Sequence, residues 1–263
     1  IELGCANPEQ PCNLPTQMAD DPPLEQVVAK TIELGARGRL SNGVSWNATI
    51  YDATNHDDIL FVNSSSVSGQ GYFTNVSSTT RQGLDVGLLV DGKKGSMNIN
   101  YGFLLARYGS NIDLPNEVNT SASSDLISVK KGDYLPNMPK HNLKIRSEYQ
   151  VKPGFNVGAT ISAFSKSFMM GNENQGHDSS QGLQGEIPGY ATLNMDSEYN
   201  FKDGWKLYVK AINVLDQSYY TGGRLAETQV EADRSHSGDE AEGAASLLPG
   251  SPQAAWIGLR HEF

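Results

Sequence analysis

Residues 96–106, SMNINYGFLLA, place Met97, Ile99, Tyr101, Phe103 and Leu105 at every second position, with Ser96, Asn98, Asn100 and Gly102 between them. Alternation with a period of two sends the two sets to opposite faces of an extended chain, so the segment predicts a strand with one apolar face. In 141–150, Leu143, Ile145 and Tyr149 alternate with Asn142, Lys144, Arg146, Glu148 and Gln150. In 155–163, Phe155, Val157, Ala159, Ile161 and Ala163 alternate with Asn156, Gly158, Thr160 and Ser162. The pattern returns in 32–40, 44–50, 84–90, 191–199, 205–211 and 255–263. That makes about nine strands, with almost no stretch of helical period.

The connections alternate in length. SNGV, DGKKG, VKPG and FKDG are tight turns rich in Gly, Asn, Asp and Pro, which suit short hairpins, whereas 56–70, 109–140, 169–187 and 221–251 are long. GQG and TGG also read as turns. Short turns at one end, large loops at the other, and strands of about ten residues, apolar on one side and polar on the other, form the pattern of an outer-membrane β-barrel. A sheet in water must cover its apolar face, and the sequence offers neither a covering helix nor a distinct second apolar sheet. Lipid is the expected cover. Tyr149, Tyr199, Phe201, Trp205 and Phe263 fall near the short-turn ends, where an interfacial aromatic girdle lies. Taken singly, each is equally compatible with core packing.

Charge adds one exclusion. The 263 residues carry 20 Lys and Arg against 30 Asp and Glu, a formal net charge of −10, and nucleic-acid binding needs a basic surface instead. The acidity is local. Residues 1–25 hold Glu2, Glu9, Asp20, Asp21 and Glu25 without a Lys or Arg, and 221–251 hold six acids against Arg224 and Arg234. Those segments sum to −5 and −4 and leave −1 for the rest of the −10, so the strand-rich body is close to neutral. No run approaches the roughly 18 apolar residues of a membrane helix. No signal peptide is visible at Ile1, so any such segment is already removed or lies upstream.

GARGRLSNGVSWNATIYDATNHDDILFV, GYFTNVSSTTRQGLDVGL, GDYLPNMPKHNLKI, IPGYATLNMDSEYNF, KAINVLDQSYYTGG and PGSPQAAWIGLRHEF occur in this order. Together they resemble the carboxy-terminal half of a TonB-dependent receptor barrel, over about residues 25–263. The family's barrel has 22 strands and a plugged lumen. The resemblance therefore implies an all-β fold: a transmembrane antiparallel barrel segment forming the last nine strands, without the plug. On this reading 1–25 is an extracellular segment and 26–263 holds barrel strands and loops. The terminal strand WIGLRHEF ends on Phe263, which resembles the assembly signal read by the barrel-assembly machinery. Gln253 departs from the Arg frequent in the family's final motif.

The resemblance implies a receptor of the bacterial outer membrane for uptake of a large scarce nutrient. A ferric siderophore is first by frequency in the family, and cobalamin, haem and oligosaccharide stay open. Energy would come from the TonB complex through the missing plug. Lys144, Arg146, Glu148, Lys206, Tyr208, Lys210 and Arg260 would face the lumen as a structural, plug-contacting wall. Candidate ligand contacts are the loop residues Phe168, Met169, Met170, Tyr219, Tyr220 and Arg224, because aromatic and Met side chains offer apolar area to a large ligand. Acidic loops oppose an anionic siderophore; they suit divalent-cation bridging to lipopolysaccharide, or a neutral or cationic ligand, at least as well.

Cys5 and Cys12, the two cysteines, are expected to form a loop disulfide in an oxidising compartment, with free thiols as the alternative. His177, Asp178 and Glu173, and His236, Asp233 and Asp239, match no defined metal spacing and read as solvated loop tips. The sequence carries no catalytic motif and implies no enzyme and no cofactor. The rival readings are a passive porin-like or adhesin-type barrel, and a secreted glycan-binding β protein whose apolar faces pack on each other.

Overall fold

The computed structural model describes residues 23–63, 71–181, 183–201, 204–228 and 242–261. Cys5, Cys12, Phe263, Asp233, His236 and Asp239 lie outside these, as do most of 1–25 and most of the acids of 221–251. The strands are β1 (Val28–Ser41), β2 (Val44–Asn63), β3 (Gly71–Asp91), β4 (Gly95–Tyr108), β5 (Ile112–Pro115), β6 (Leu126–Val129), β7 (His141–Lys152) and β8 (Phe155–Phe164). They continue with β9 (Ser167–Phe168), β10 (Glu186–Ile187), β11 (Tyr190–Asn200), β12 (Trp205–Ile212), β13 (Tyr220–Thr228), β14 (Glu242–Pro249) and β15 (Ala254–His261). Nine of them form one antiparallel sheet in the order β1-β2-β3-β4-β7-β8-β11-β12-β15. Eight of the nine expected alternating segments lie within these strands, and the ninth, 255–263, does so over its described residues, to His261. The other six pair as short hairpins within the long connections.

Turn chemistry explains the trimmed end. Asn42 and Gly43 form a two-residue connection between β1 and β2, with Gly43 at φ 84°, and Gly154 at φ 80° closes the β7–β8 hairpin. A residue with a Cβ is strained there, so glycine fits the turn.

Register carries the alternation of each strand across the whole sheet. Ile99 pairs with Ile145, Ile145 with Ile161, and Ile161 with Leu193; further along, Val209 pairs with Ile257. These residues share one face with Leu34, Ile50 and Leu84, which are also in register. Ile32 is 80% exposed, Leu34 71% and Ile257 69%, so none of the described residues covers them. Its short-turn rim is aromatic: Phe155 meets Tyr199 at 6.0 Å, Tyr199 meets Phe201 at 4.8 Å, and Trp205 meets His261 at 4.6 Å. A wide uncovered apolar face with an aromatic rim is the lipid-facing side of a transmembrane barrel wall.

The opposite face is polar, and its glycines make room for large neighbours. Arg146 on β7 reaches over Gly158 on β8 to Asp196 on β11, while its Nε donates to Glu148 at 3.1 Å and its Nη1 to Thr160 at 3.3 Å. A Cβ on Gly158 would collide with this pair. In the same way the Tyr51 ring lies over Gly83, and Tyr208 over Gly258. Lys206 pairs with Glu198 at 3.4 Å. All seven residues expected to face the lumen share this face by register.

Two expectations fail at the loop end. The connection expected over 56–70 is partly strand, because β2 runs to Asn63 and β3 starts at Gly71. Asp58 holds this extension by accepting hydrogen bonds from Thr79 and from Arg81, whose Nη2 lies at 3.3 Å. TGG is not a turn: Gly222 and Gly223 lie within β13, paired with Leu248 and Leu247 of β14.

The face assignment predicts unequal effects of one charge at two adjacent positions. Ile161→Arg places a guanidinium on the lipid side and should destabilise by about 2–4 kcal/mol. Ser162→Arg places it on the polar side and should cost well under half of that. Urea unfolding in detergent or vesicles reads the difference, and equal losses would refute the assignment.

Candidate functional site

The long-loop end carries what little protein-covered apolar core the fold has. Ile127 of β6, Met169 after β9 and Leu225 of β13 are each 0% exposed. The β5–β6 hairpin packs Leu114, Ile127 and Val129 against Val62, Ala106, Tyr108 and Leu135. A stretch with no lipid around it has to bury its apolar side chains against protein, and the three long loops do so against one another and the strand ends.

Buried side-chain amides lock these loops together. Asn116 accepts the N–H groups of Val118 and Asn119 at its Oδ1, and its Nδ2 donates to the Leu225 carbonyl at 3.2 Å. Asn119 donates to the Gly171 carbonyl at 2.8 Å, and Asn172 to the Gly185 carbonyl at 2.9 Å. Asn116, Asn119 and Asn172 are 8%, 2% and 2% exposed, so leaving any of them unpaired would cost about 1–3 kcal/mol. Backbone bonds add to the seam: Leu225 N–H donates to Met170 O at 2.7 Å, Met170 N–H to Gly223 O at 3.1 Å, and Asn137 N–H to Phe168 O at 2.8 Å. The loops 109–140 and 165–189 and strand β13 thus form one cap.

The residues expected to contact a ligand fall into two groups. Phe168, Met169, Met170 and Arg224 converge on the cap's seam, where Met170 bridges to Arg224. Met169 is wholly buried there against Gly223, so it packs the cap rather than lining its surface. Tyr220 opens β13 and is half-buried. Tyr219 stacks on Tyr190 at 4.5 Å, and Tyr190 lies 5.2 Å from Phe164. Phe164 and Tyr190 are in register on the polar face, continuing the row of Gly102 and Asn142. The three rings therefore form a stack where the lumen-facing wall meets the loops. Sequence reasoning missed Phe164 and Tyr190, although pairing β8 with β11 by their alternation brings these two strand-end aromatics together.

Electrostatics differ between the two sides of the cap. The Glu173 carboxylate is buried and accepts the Gly171 N–H at 2.8 Å; burial pushes its pKa up, with the hydrogen bond opposing in part. Asp178 is held below the usual carboxylate range by the Ser180 N–H. His177 accepts the Thr120 N–H at Nδ1 and so donates from Nε2 to the Leu183 carbonyl, at 3.2 Å in each case. These loop residues are engaged in hydrogen bonds, and among the described residues no group of three or more His, Cys, Asp or Glu could hold a metal ion. On the other side, Tyr134 receives a hydrogen bond from Arg107 at 3.1 Å and lies under the Lys140 ammonium, which lower its pKa.

Comparison with known proteins agrees with the wall and loop arrangement. Residues 6–214 match the family model described as TonB dependent receptor-like, beta-barrel. No curated protein matches the chain by sequence. Among solved structures, the siderophore receptor PiuA from Acinetobacter baumannii is similar at a TM-score of 0.60 and 17% identity, over 88% of this chain and 28% of its own. The ferric yersiniabactin uptake receptor FyuA from Yersinia pestis gives 0.62 and 14%, over 90% and 30%. The copper transporter OprC gives 0.60 and 14%, over 91% and 32%. The chain thus spans under a third of the length of these proteins, and at such identities the likeness shows the fold. From the family match over residues 6–214, the chain belongs to the TonB-dependent receptor-like β-barrel family.

Proposed function

We propose that the chain forms part of the wall and loop cap of a TonB-energised receptor in the bacterial outer membrane, which takes up a ferric siderophore or a similarly large, scarce nutrient. The observation that carries this reading is the amide-locked cap set over a polar wall, with the ring stack of Phe164, Tyr190 and Tyr219 at their junction. The similar structures include siderophore receptors and a copper transporter, so iron leads on frequency. The domain reading follows: 26–263 are wall strands and their loops, and 1–25 an extracellular segment. Among the described residues β1 and β15 pair on one side only. An open edge is not tolerated in lipid, so further strands complete the barrel.

Each part then has a task. The ligand is caught at the loops, where aromatic rings offer rigid apolar area at low entropic cost. Phe168, Met170, Tyr219, Tyr220 and Arg224 remain its candidate contacts, with Tyr190 and Phe164 added. The ion-paired inner wall around Arg146, Glu148 and Asp196 meets the plug, and the TonB complex displaces that plug from the periplasmic side. Strand β15 with Phe263 serves recognition by the barrel-assembly machinery, and Cys5 and Cys12 staple the first loop. No covalent chemistry is required of the protein.

Uptake of labelled ferric siderophores by cells expressing the receptor should stop when a protonophore collapses the proton-motive force. Uptake indifferent to the protonophore would favour a passive barrel. Tyr190→Ala and Tyr219→Ala should each raise the ligand Kd about tenfold or more, as loss of a central aromatic contact does. Lys94→Gln, in a short turn, should leave it unchanged. Equal binding by all three variants would remove the ring stack from the site.

The cap should also loosen as pH rises. Below the ordinary Glu range Glu173 is protonated in both closed and open loops, and its contribution does not change. As pH climbs, the open loop ionises first while burial keeps the closed form neutral, so closure weakens until pH passes the raised pKa. Hydrogen-exchange protection at Gly171 and Asn172, corrected for intrinsic rates, should fall as pH rises above the ordinary Glu range, and Glu173→Gln should flatten that fall. Wild-type protection that holds steady or rises would contradict the assignment.

A further inference from the structure

The apolar face has a defined upper boundary. Phe103 and His141 are in register with rings 5.1 Å apart, and the Tyr101 hydroxyl lies 2.8 Å from His141 Nδ1, all on the lipid-facing side. Above this row the face turns polar: Asp52 and Gln82 pair through a 2.7 Å bond, and the next outward row is Thr54, Thr80 and Arg107. Arg107 lies four positions beyond Phe103 on β4, or about 13 Å along the strand at about 3.3 Å per residue. With a strand tilt of about 40°, that places it about 10 Å further along the membrane normal. This is headgroup depth at the long-loop end.

Two cations gather there on one ring. Tyr134 bridges to Arg107 and shares its face; the Arg107 guanidinium lies 5.0 Å and the Lys140 ammonium 3.7 Å from the ring centroid. Phe168 stacks alongside Tyr134 at 6.2 Å. Among the described residues neither cation has a carboxylate partner, and the Arg107 Nε is buried without a hydrogen bond. Lys166, two residues before Phe168, is by contrast paired with Glu186 at 2.9 Å. The outer-face acid Asp52 is two strands away and already accepts from Gln82. Two cations held together against an aromatic ring, without a counter-charge, form a receptor for a dianionic group such as phosphate.

We propose that Arg107 and Lys140, organised by Tyr134, bind a phosphate on the headgroup of lipopolysaccharide, whose acyl chains lie along the apolar face below Phe103. The occupant follows from charge complementarity combined with continuity: the same patch runs into an uncovered apolar surface, which a free anion does not need. The site faces away from the lumen and is separate from the ring stack of Phe164, Tyr190 and Tyr219. The inference rests on the transmembrane reading of the sheet, and not on which nutrient is carried.

The test uses the receptor purified from outer membranes in mild detergent. Native mass spectrometry and a fluorescent-lipid titration would be run with bis-phosphorylated lipid A, with dephosphorylated lipid A and with inorganic phosphate. The phosphorylated lipid should bind at least about tenfold more tightly than the dephosphorylated form. Arg107→Gln and Lys140→Gln should each weaken it about fivefold, as expected for one basic residue near an anionic lipid surface, while Lys94→Gln should not. Inorganic phosphate should fail to displace the lipid. Equal affinity for the two lipids, unchanged binding by both variants, or displacement by phosphate alone would each overturn the proposal. The lipid series needs only the wild-type protein, so it stands even where a variant folds poorly. Nutrient uptake measured on the same variants separates failure of this site from failure of the transport reading.

Discussion

A strand crossing hydrocarbon cannot leave its amides unpaired, because each unsatisfied group costs several kcal/mol where no water can replace the partner. The ladder from β1 to β15 meets that demand for the seven strands between its two edges and fixes register across all nine. Fixed register turns a local alternation into two continuous surfaces. A slip of one residue between β7 and β8 would carry Ile161 from the row of Ile145 and Leu193 to the face of Arg146 and Asp196. The inner face follows from the same constraint. Side chains from adjacent strands stand side by side there, and glycine at Gly158, Gly83 and Gly258 makes the room that the Arg146 guanidinium and the Tyr51 and Tyr208 phenols fill.

Lipid relieves the wall of any need for a protein core, and the wholly buried apolar side chains are accordingly at the loop end. Ile127, Met169 and Leu225 sit among the polar groups Asn116, Asn119, Asn172 and Glu173, a mixture that a dry sandwich core would not hold. The mixture works because Asn116 and Asn119 bond to carbonyls on other segments of the cap and Asn172 to one within its own loop, so burial and polar satisfaction are achieved together. The result is a cap with a defined shape, a precondition for specific capture rather than nonspecific adhesion.

The wall was readable from sequence because its information is local: alternation shows which residues share a face, and Asn42-Gly43 or Pro153-Gly154 marks where the chain reverses. Legibility ends where long-range polar bonds take over. His56, Asp57 and Asp58 break the alternation and read as loop, yet β2 continues through them because Asp58 is held by Thr79 and Arg81 from the neighbouring strand. Gly222 and Gly223 read as a turn, yet the Gly223 N–H is taken by Asn137 Oδ1 and β14 pairs alongside. At the candidate site, composition pointed to Met169 and Met170 alike, and nothing in the sequence separates the wholly buried Met169 from its half-buried neighbour. The asparagines of the seam gave no signal either, since isolated Asn residues are common in solvated loops. Their importance lies in partners some 50 or 100 residues away.

Strand β4 links these zones. Its lipid-facing side rises from Met97 through Ile99 and Phe103 to Arg107, while its other side runs from Asn98 and Asn100 to Ala106 and Tyr108 buried under the cap. Tyr108 N–H donates to Asp133 O at 2.8 Å and Leu135 N–H to Ala106 O at 3.0 Å, so one part of the cap is an extension of the ladder itself. The seam between loops 109–140 and 165–189 is different in kind, since scattered bonds carry it, mostly from side chains such as Asn119 to Gly171, with Asn137 N–H to Phe168 O from the backbone. A net intramolecular hydrogen bond contributes about 1 kcal/mol, whereas parting strands of the wall breaks many such bonds at once. A load applied to the loops is therefore resisted by the ladder and yielded to by the seam. By this balance a rearrangement of the cap would fall at the boundary between these loops, next to the ring stack, before it disturbed the wall and its register.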